Sequence, residues 1–410
     1  MSDLIVLKFG GTSVGSTERI GEVARRVAKH RRAGNPRIVV VVSAMSGETD
    51  KLVELARKVR KQQKIDREYH QLLATGEQVT TALTAMAIER EGLESISLLA
   101  PQVRILTTNV YGNELIDQIE TTKLEALLDA GVIPVVAGFQ GTDTAGNYTT
   151  LGRGGSDATA VALAAALKAK QCIIYTDIDG VYTAQPSLCK CARKLERLTY
   201  QEMLELAGSG AKVLQARSVR LAMKYRVPLL VASSFNHNQG TEIVEEYPGM
   251  EDAVVSGITC RNDQAKITLR NIADRPGSMS KLFSHIAQNG INVDMIVQNQ
   301  GFGAKATVSF TVDDDQAVIA YEALLAVIKT EFPEASIELD RSIAKVSVVG
   351  EGMKAHAGVA AQIFEILGRE GINIDLVTTS EIMTAVAIQQ KYAELAVRSL
   401  HEYFIERKEA

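Results

Sequence analysis

Up to about Tyr247 the chain alternates short apolar runs with longer segments of helical periodicity, and this alternation limits the possible folds more than any other feature. Leu4–Phe9, Arg37–Ser43, Ser95–Leu99, Val132–Gly138, Gln171–Thr176 and Val227–Ala232 read as strands. Arg19–Arg32, Thr49–Gln62, Tyr69–Arg90 and Ala211–Lys224 read as helices between them. Continuous rather than alternating apolar strands belong to a sheet covered on both faces, so the pattern predicts a mostly parallel sheet sandwiched by helices. In such sheets ligands sit outside the carboxyl ends of the strands.

Two glycine loops occupy such ends. Lys8-Phe9-Gly10-Gly11-Thr12-Ser13-Val14-Gly15 follows the run Leu4–Leu7 directly. Glycines let backbone N–H groups approach an anion, and the lysine adds a full positive charge beside them. The lysine precedes the glycines, so this is not a Walker A loop. The second loop, Thr149-Thr150-Leu151-Gly152-Arg153-Gly154-Gly155-Ser156-Asp157, precedes the alanine-rich segment Ala158–Ala169. Ser156 or Asp157 is the expected N-cap of that helix. Its N-terminus attracts negative charge, and Arg153 can fork onto a carboxylate or phosphate. Asp157 stands where a dinucleotide fingerprint needs its third glycine, which argues against NAD.

Beyond Tyr247 the chain repeats itself. Ala265-Lys266-Ile267-Thr268 returns as Ala344-Lys345-Val346-Ser347, Gly290-Ile291-Asn292-Val293-Asp294 as Gly371-Ile372-Asn373-Ile374-Asp375, and Gly277 as Gly358. The period of about 80 residues accommodates one small α+β unit of the βαββαβ kind.

Six motifs in order resemble the aspartate kinase family: KFGGTSVG, VVVVSAMSGETDKL from Val39, TGEQV from Thr75, VVAGFQG from Val135, TTLGRGGSD from Thr149 and YTDIDGVYT from Tyr175. The resemblance extends over essentially the whole chain, and the repeats look like paired ACT domains of ferredoxin-like fold. It implies a catalytic domain over 1–249, a first ACT domain over 262–338 and a second over 339–410 completed by a strand within 250–261. It also implies phosphorylation of the L-aspartate β-carboxylate by ATP with Mg²⁺, the entry to lysine, threonine and methionine, with no metal held by protein side chains.

By that resemblance Lys8 stabilises the β/γ-phosphates, and Asp157 orients Lys8 or a magnesium-bound water. Phe9, Gly10, Gly11, Tyr175, Thr176, Asp177, Tyr182 and Lys212 serve the nucleotide. Arg153 takes a substrate carboxylate, Glu77 pairs with the ammonium, and Ser43, Thr49 and Ser156 donate hydroxyl bonds. Gly154 and Gly155 shape the loop, and Phe139 packs on the substrate. A carboxylate nucleophile is ionised at neutral pH and needs no general base, so positioning and charge neutralisation carry the chemistry. Asp274, Gly277, Asn292, Val293, Asp294 and Gln298 of the first repeat, with Asn373, Ile374, Asp375 and Ser380 of the second, are the expected contacts for lysine or threonine as inhibitor. Two chains are expected to join through their ACT sheets, as a homodimer, a higher oligomer or a complex with a shorter regulatory chain, and whether such a chain starts at Met250 is left open by the sequence.

Three stretches depart from the family pattern. Gln185-Pro186-Ser187 lacks an arginine usual after the Tyr-Thr of the nucleotide loop, Glu114-Leu115 replaces a small-then-basic pair at the rim of the site, and Lys305-Ala306-Thr307 replaces a Thr-Thr-Asp run. Other readings are a catalytically weak amino-acid sensor and a related kinase of another acidic substrate. The duplicated tail and Thr75-Gly76-Glu77 argue against the latter.

A net charge of −4 without a basic stripe argues against nucleic acid. No apolar run is long enough to span a bilayer, and the N-terminus lacks a signal-peptide layout. Four cysteines in 410 residues form no disulfide framework, which suits a reducing, cytoplasmic setting. Cys189-Lys190-Cys191 offers two thiols without partners nearby in sequence, and the six histidines fall singly.

Overall fold

The computed structural model describes residues 3–60, 64–108, 112, 114–211, 213–248, 254–301, 303–354, 356 and 358–407. They divide into two compact units. One comprises Met1–Val181, Lys194–Gly208 and Lys212–Pro248, and the other Tyr182–Arg193, Ser209–Ala211 and Gly249–Ala410.

The first unit is built on an eight-stranded sheet in the order Arg197–Thr199, Thr241–Val244, Leu229–Ser233, Gln171–Thr176, Leu4–Phe9, Arg37–Val42, Ile133–Ala137 and Ser95–Leu98. Thr241–Val244 pairs antiparallel with Leu229–Ser233, and Arg197–Thr199 runs parallel to it. The other neighbouring pairs are parallel, as the continuous apolar runs predict. Every residue of Leu4–Phe9 is buried. Leu7, Phe9 and Val40 pack with Val23 and Val27 of the helix Thr17–Arg32 in one core. That helix is started by the Ser16 hydroxyl, which accepts from the Arg19 N–H at 3.3 Å, and it ends on Lys29, His30, Arg31 and Arg32, which suit its dipole.

Three local expectations are corrected. Tyr69–Arg90 is two helices, Arg67–Leu73 and Thr75–Arg90, divided where the Gln140 amide donates to the Ala74 carbonyl at 2.6 Å. The helix expected over Ala211–Lys224 spans Ala216–Tyr225. A four-stranded sheet of Ile116–Ile119, Ile105–Thr107, Gln140–Thr142 and Tyr148–Thr150 gave no sequence signal, because its strands are three or four residues long.

The second unit holds a six-stranded antiparallel sheet in the order Ile296–Gln300, Lys305–Asp313, Gly257–Ala273, Ser336–Val349, Met383–Gln389 and Ile374–Thr379. Its two central strands serve both repeats. Gly257–Arg261 pairs with Lys345–Val349, whereas Gln264–Ala273 pairs with Lys305–Asp313. Each repeat keeps its own core. Ile267, Leu282, Phe310 and Leu324 form one, and Ile258, Val348, Ile363 and Leu400 form the other. Ala184 and Cys189, from the loop after the strand Gln171–Thr176, belong to the second of these cores.

Candidate active site

Lys8 and Asp157 meet at the carboxyl ends of the central strands. Lys8 Nζ lies 2.5 Å from Asp157 Oδ1, with both side chains about nine-tenths buried. Because Leu4–Phe9 and Arg37–Val42 are parallel, their following loops emerge side by side. The Ser43 N–H donates to the Phe9 carbonyl at 3.1 Å and the Ser46 N–H to the Gly11 carbonyl at 3.2 Å. A Cβ on Gly11 would lie 3.0 Å from the Ala44 carbonyl oxygen, so glycine permits this close approach.

The helix Gly155–Ala166 starts earlier than expected. Its N-cap is Gly154 at φ 69°, with no side-chain cap bond, and Ser156 and Asp157 fall in its first turn. The left-handed turn at Gly154 bends the chain into the helix before either polar residue can cap it. Asp157 instead places its negative charge at the positive end of the dipole, against Lys8. Close packing with the strand-end segment Gly138–Gln140 holds this turn. A Cβ on Gly138 would sit 2.7 Å from Ser156 Oγ, and one on Gly155 2.9 Å from the Phe139 ring. Phe139 itself has φ 64°, a backbone strain for a bulky residue of the kind that clusters at ligand sites.

These loops enclose a cleft of about 930 Å³. Lys8, Gly11, Ser43, Thr49, Glu77, Phe139, Arg153, Gly154, Gly155, Ser156 and Asp157 all line it. Glu77 is 2% exposed, and one of its oxygens accepts the Ala44 N–H at 3.0 Å. Its other oxygen is buried with no hydrogen-bond partner among the described residues. Burial pushes its carboxyl up to about 7. A buried carboxylate with one oxygen unsatisfied stands out among the residues lining the cleft.

The nucleotide candidates are divided. Gly10 and Phe9 belong to the turn and the core, with the Gly10 N–H donating to the Tyr175 carbonyl at 3.2 Å. The Tyr175 ring turns into the core. It stacks on Phe9 at 4.9 Å, bonds His30 Nε2 at 2.7 Å and lies under Arg26, so only its backbone reaches the strand end. Thr176 and Asp177 lie at that end, their side chains bonded at 2.9 Å. Tyr182 belongs to the second unit, and Lys212 lies outside the described residues. Ser13, part of the first glycine loop, and Ser234 carry no role in the sequence reading. Ser13 donates to the Ser234 hydroxyl at 2.9 Å, and Ser234 donates to the Thr176 carbonyl at 3.1 Å, linking the first glycine turn to the neighbouring strand end.

In the second unit the two repeat turns are alike. Gly277 at φ 92° and Gly358 at φ 98° each cap an eleven-residue helix without a side-chain bond. Asp274 is half-buried, and its N–H donates to the Ala304 carbonyl at 2.8 Å. Asn292, Gln298, Asn373 and Ser380 are exposed, whereas Val293 and Ile374 are half-buried beside the cores. Asp294 and Asp375 are engaged. Lys345 Nζ bonds Asp294 at 2.5 Å, and Lys266 Nζ bonds Asp375 at 2.5 Å. The expectation that Cys189 and the histidines stand alone is corrected here. Cys189, His401 and Glu406 bring ligand atoms within 4.8 Å of one another. Both His401 nitrogens are already bonded, to Thr183 Oγ1 at 2.8 Å and Glu406 Oε1 at 2.9 Å, so the cluster is a hydrogen-bonded tie.

A glycine turn with a lysine, a helix N-terminus with an arginine and a buried carboxylate thus gather around one cleft of an α/β domain. Residues 3–233 match the amino acid kinase family, and residues 270–327 and 346–404 match the ACT domain. An aspartate kinase of Pseudomonas fluorescens (strain SBW25) is 50% identical over 403 residues, covering 98% of this chain and 97% of its own. The crystal structure of aspartate kinase from Synechocystis superposes with a TM-score of 0.55 at 41% identity, over 98% of this chain and 69% of that one. Escherichia coli aspartokinase III in complex with aspartate and ADP shares the fold, with a TM-score of 0.80 at 24% identity over 97% of this chain and 99% of its own. The chain belongs to the aspartate kinases, within the amino acid kinase family. Among the described residues no helix is long and apolar enough to cross a membrane.

Proposed function

We propose that the cleft holds L-aspartate with its β-carboxylate aimed at the γ-phosphate of ATP, forming L-aspartyl-4-phosphate at the start of lysine, threonine and methionine synthesis. The observation that carries this reading is the orphaned, buried oxygen of Glu77, in the same cleft as Arg153 and the Lys8–Asp157 pair. An amino acid with two carboxylates offers an ammonium to Glu77 and a carboxylate to Arg153. Its remaining carboxylate is left free to attack. Neutral analogues would leave these groups unpaired and bind poorly.

Lys8 stabilises charge on the transferring phosphoryl group, and Asp157 holds Lys8 in place until the nucleotide arrives. Mg²⁺ bound with ATP would be held near Asp157. The oxygen chemistry of Asp157 beside the glycine turn suits a hard cation held through water, and the ion would neutralise the β- and γ-oxygens. The Gly10–Gly11 turn, Thr176 and Asp177 flank the nucleotide from the strand ends.

Lysine or threonine inhibits by binding at the repeat turns. Its carboxylate takes amides of the first helical turn after Gly277, and its ammonium shares Asp294 or Asp375 with Lys345 or Lys266. Two chains join through their ACT sheets. Hydroxamate formation with ATP and aspartate, glutamate or N-acetylglutamate, measured side by side, tests the substrate. Aspartate should be turned over strongly and the others hardly at all. Equal turnover of glutamate would remove the assignment of Glu77 and Arg153.

A further inference from the structure

Behind Arg153 lies a buried polar network that the roles above do not use. His70, on the short helix Arg67–Leu73, and Glu114 are each 1% exposed, and both line the wall of the cleft. The Thr150 N–H donates to His70 Nδ1 at 3.0 Å, and the Thr150 hydroxyl lies 2.8 Å from the same nitrogen. A nitrogen that accepts from a backbone N–H carries no proton, so the imidazole is neutral with its hydrogen on Nε2. Glu114 Oε1 lies 3.3 Å from Nε2, close enough for its charge to act on the ring without a well-formed hydrogen bond. The Glu114 carboxylate accepts from the Gly112 N–H, at 3.2 and 3.1 Å. Arg217 closes the network, donating to the Leu151 carbonyl at 2.7 Å and the Glu114 carbonyl at 2.6 Å.

Thr150 and Leu151 are the root of the loop that carries Arg153. Thr150 ends a three-residue strand, and Gly152 and Gly154 on either side of Arg153 both have positive φ. Within the loop one bond spans the arginine, from the Gly155 N–H to the Gly152 carbonyl at 3.0 Å. The two residues before Gly152 are gripped from outside, one by an acceptor on its N–H and one by a donor on its carbonyl.

We propose that His70, backed by Glu114, is a positioning residue that aims Arg153 and thereby sets the affinity for the acidic acceptor. The proposal rests on the reading of Arg153 as the partner of a substrate carboxylate. Protonation of His70 at Nδ1 would set two donors face to face and release Thr150. Burial opposes this by holding the imidazole below its usual value, while burial of Glu114 raises that carboxyl. The Glu114-Leu115 departure then has a use. A carboxylate there sets negative charge against the Nε2–H side of a neutral histidine, which favours the tautomer that leaves Nδ1 free to accept.

Two substitutions separate this role from bulk and folding. His70→Asn keeps an acceptor at the δ position, and His70→Gln keeps a donor at the ε position but loses that acceptor. With the full chain and saturating ATP, His70→Gln should raise the KM for aspartate roughly tenfold with kcat and the KM for ATP nearly unchanged. His70→Asn should restore the aspartate KM to within about twofold of the parent. Arg153→Ala serves as the reference. If it raises the aspartate KM while both His70 variants match the parent, the positioning role is wrong and the Arg153 reading survives. If Arg153→Ala leaves that KM unchanged, the reading beneath the proposal fails. Equal KM increases in both His70 variants also overturn it, because they would show that shape and not the Nδ1 acceptor matters.

Discussion

The two units use the same pair of residues for different purposes. In the catalytic unit Lys8 and Asp157 meet at 2.5 Å, their side chains 10% and 11% exposed, on the wall of an open cleft. In the regulatory unit Lys345 and Asp294 also meet at 2.5 Å, but the lysine is 4% exposed and the aspartate 40%. Lys266 and Asp375 form the reciprocal pair at the same distance. Each lysine lies on the first strand of one repeat and each aspartate follows the Gly-Ile-Asn turn of the other, so the two pairs tie the repeats together. The first pair sits where a ligand can enter and take over one partner. The reciprocal pairs hold one repeat to the other before any effector arrives. Distance alone therefore says little about a lysine–aspartate pair, whereas the space in front of it separates a working charge from a tie.

The largest effect that would sharpen this contrast is on turnover. Lys8→Ala should lower kcat by roughly 10²–10³-fold in the hydroxamate assay, the scale of losing one preorganised donor to the transition state. Lys345→Ala should leave uninhibited kcat within about twofold of the parent. A parent-like kcat for Lys8→Ala would erase the distinction.

Next comes the pH dependence of substrate binding. Free Glu77 titrates near 7, and only its ionised form pairs with an ammonium. The KM for aspartate should therefore fall as pH rises through about 7, and Glu77→Gln should flatten that limb. The same raised value bears on stability. The folded chain holds this proton more tightly than the unfolded one, so the contribution is complete below the ordinary carboxylate value near 4.5 and is lost as pH rises to about 7. Thermal melts of the ligand-free parent and Glu77→Gln across pH 5–8 check the sign. A parent melting point that climbs relative to Glu77→Gln over that range would contradict it.

A smaller effect belongs to the ties. Lys345→Ala should destabilise the chain by about 1 kcal/mol in urea melts, at the low end for a broken pair because Asp294 remains partly solvated. No shift in the midpoint would reduce the reciprocal pairs to ornament. The smallest is Gln298→Ala, on the exposed edge strand Ile296–Gln300. It should weaken inhibition by lysine or threonine several-fold, as for the loss of one hydrogen bond, with uninhibited turnover unchanged. Dose–response curves for both amino acids measure it, and unaltered curves would move the effector elsewhere.

Much of the site was legible because it is local. Lys8 with Gly10–Gly11, and Arg153 with Gly154–Gly155, are contiguous stretches whose chemistry follows from residue type. The helix start at Gly154 was misread, since a polar residue after glycine looks like a cap until the backbone shows a left-handed turn one residue earlier. Tyr175 looked like a ligand contact because it precedes Thr176 and Asp177, yet alternation along the strand sends its ring into the core. His70 is 80 residues from Thr150, and Arg217 is 66 and 103 residues from the Leu151 and Glu114 carbonyls it grips, and no periodicity marks such contacts.

The sequence by itself determined the parallel sheet, the duplicated regulatory region and the charges available at the strand ends, because hydrophobic period, glycine placement and residue chemistry are properties of neighbours along the chain. Only the tertiary structure decided that Glu77 keeps an oxygen without a partner, that Tyr182–Arg193 belongs to the second unit, and that Asp294 and Asp375 are held by lysines of the opposite repeat. Those outcomes depend on burial and on which distant groups are brought together. Desolvation and pairing are set by the packed surroundings of a side chain, which the order of residues does not display.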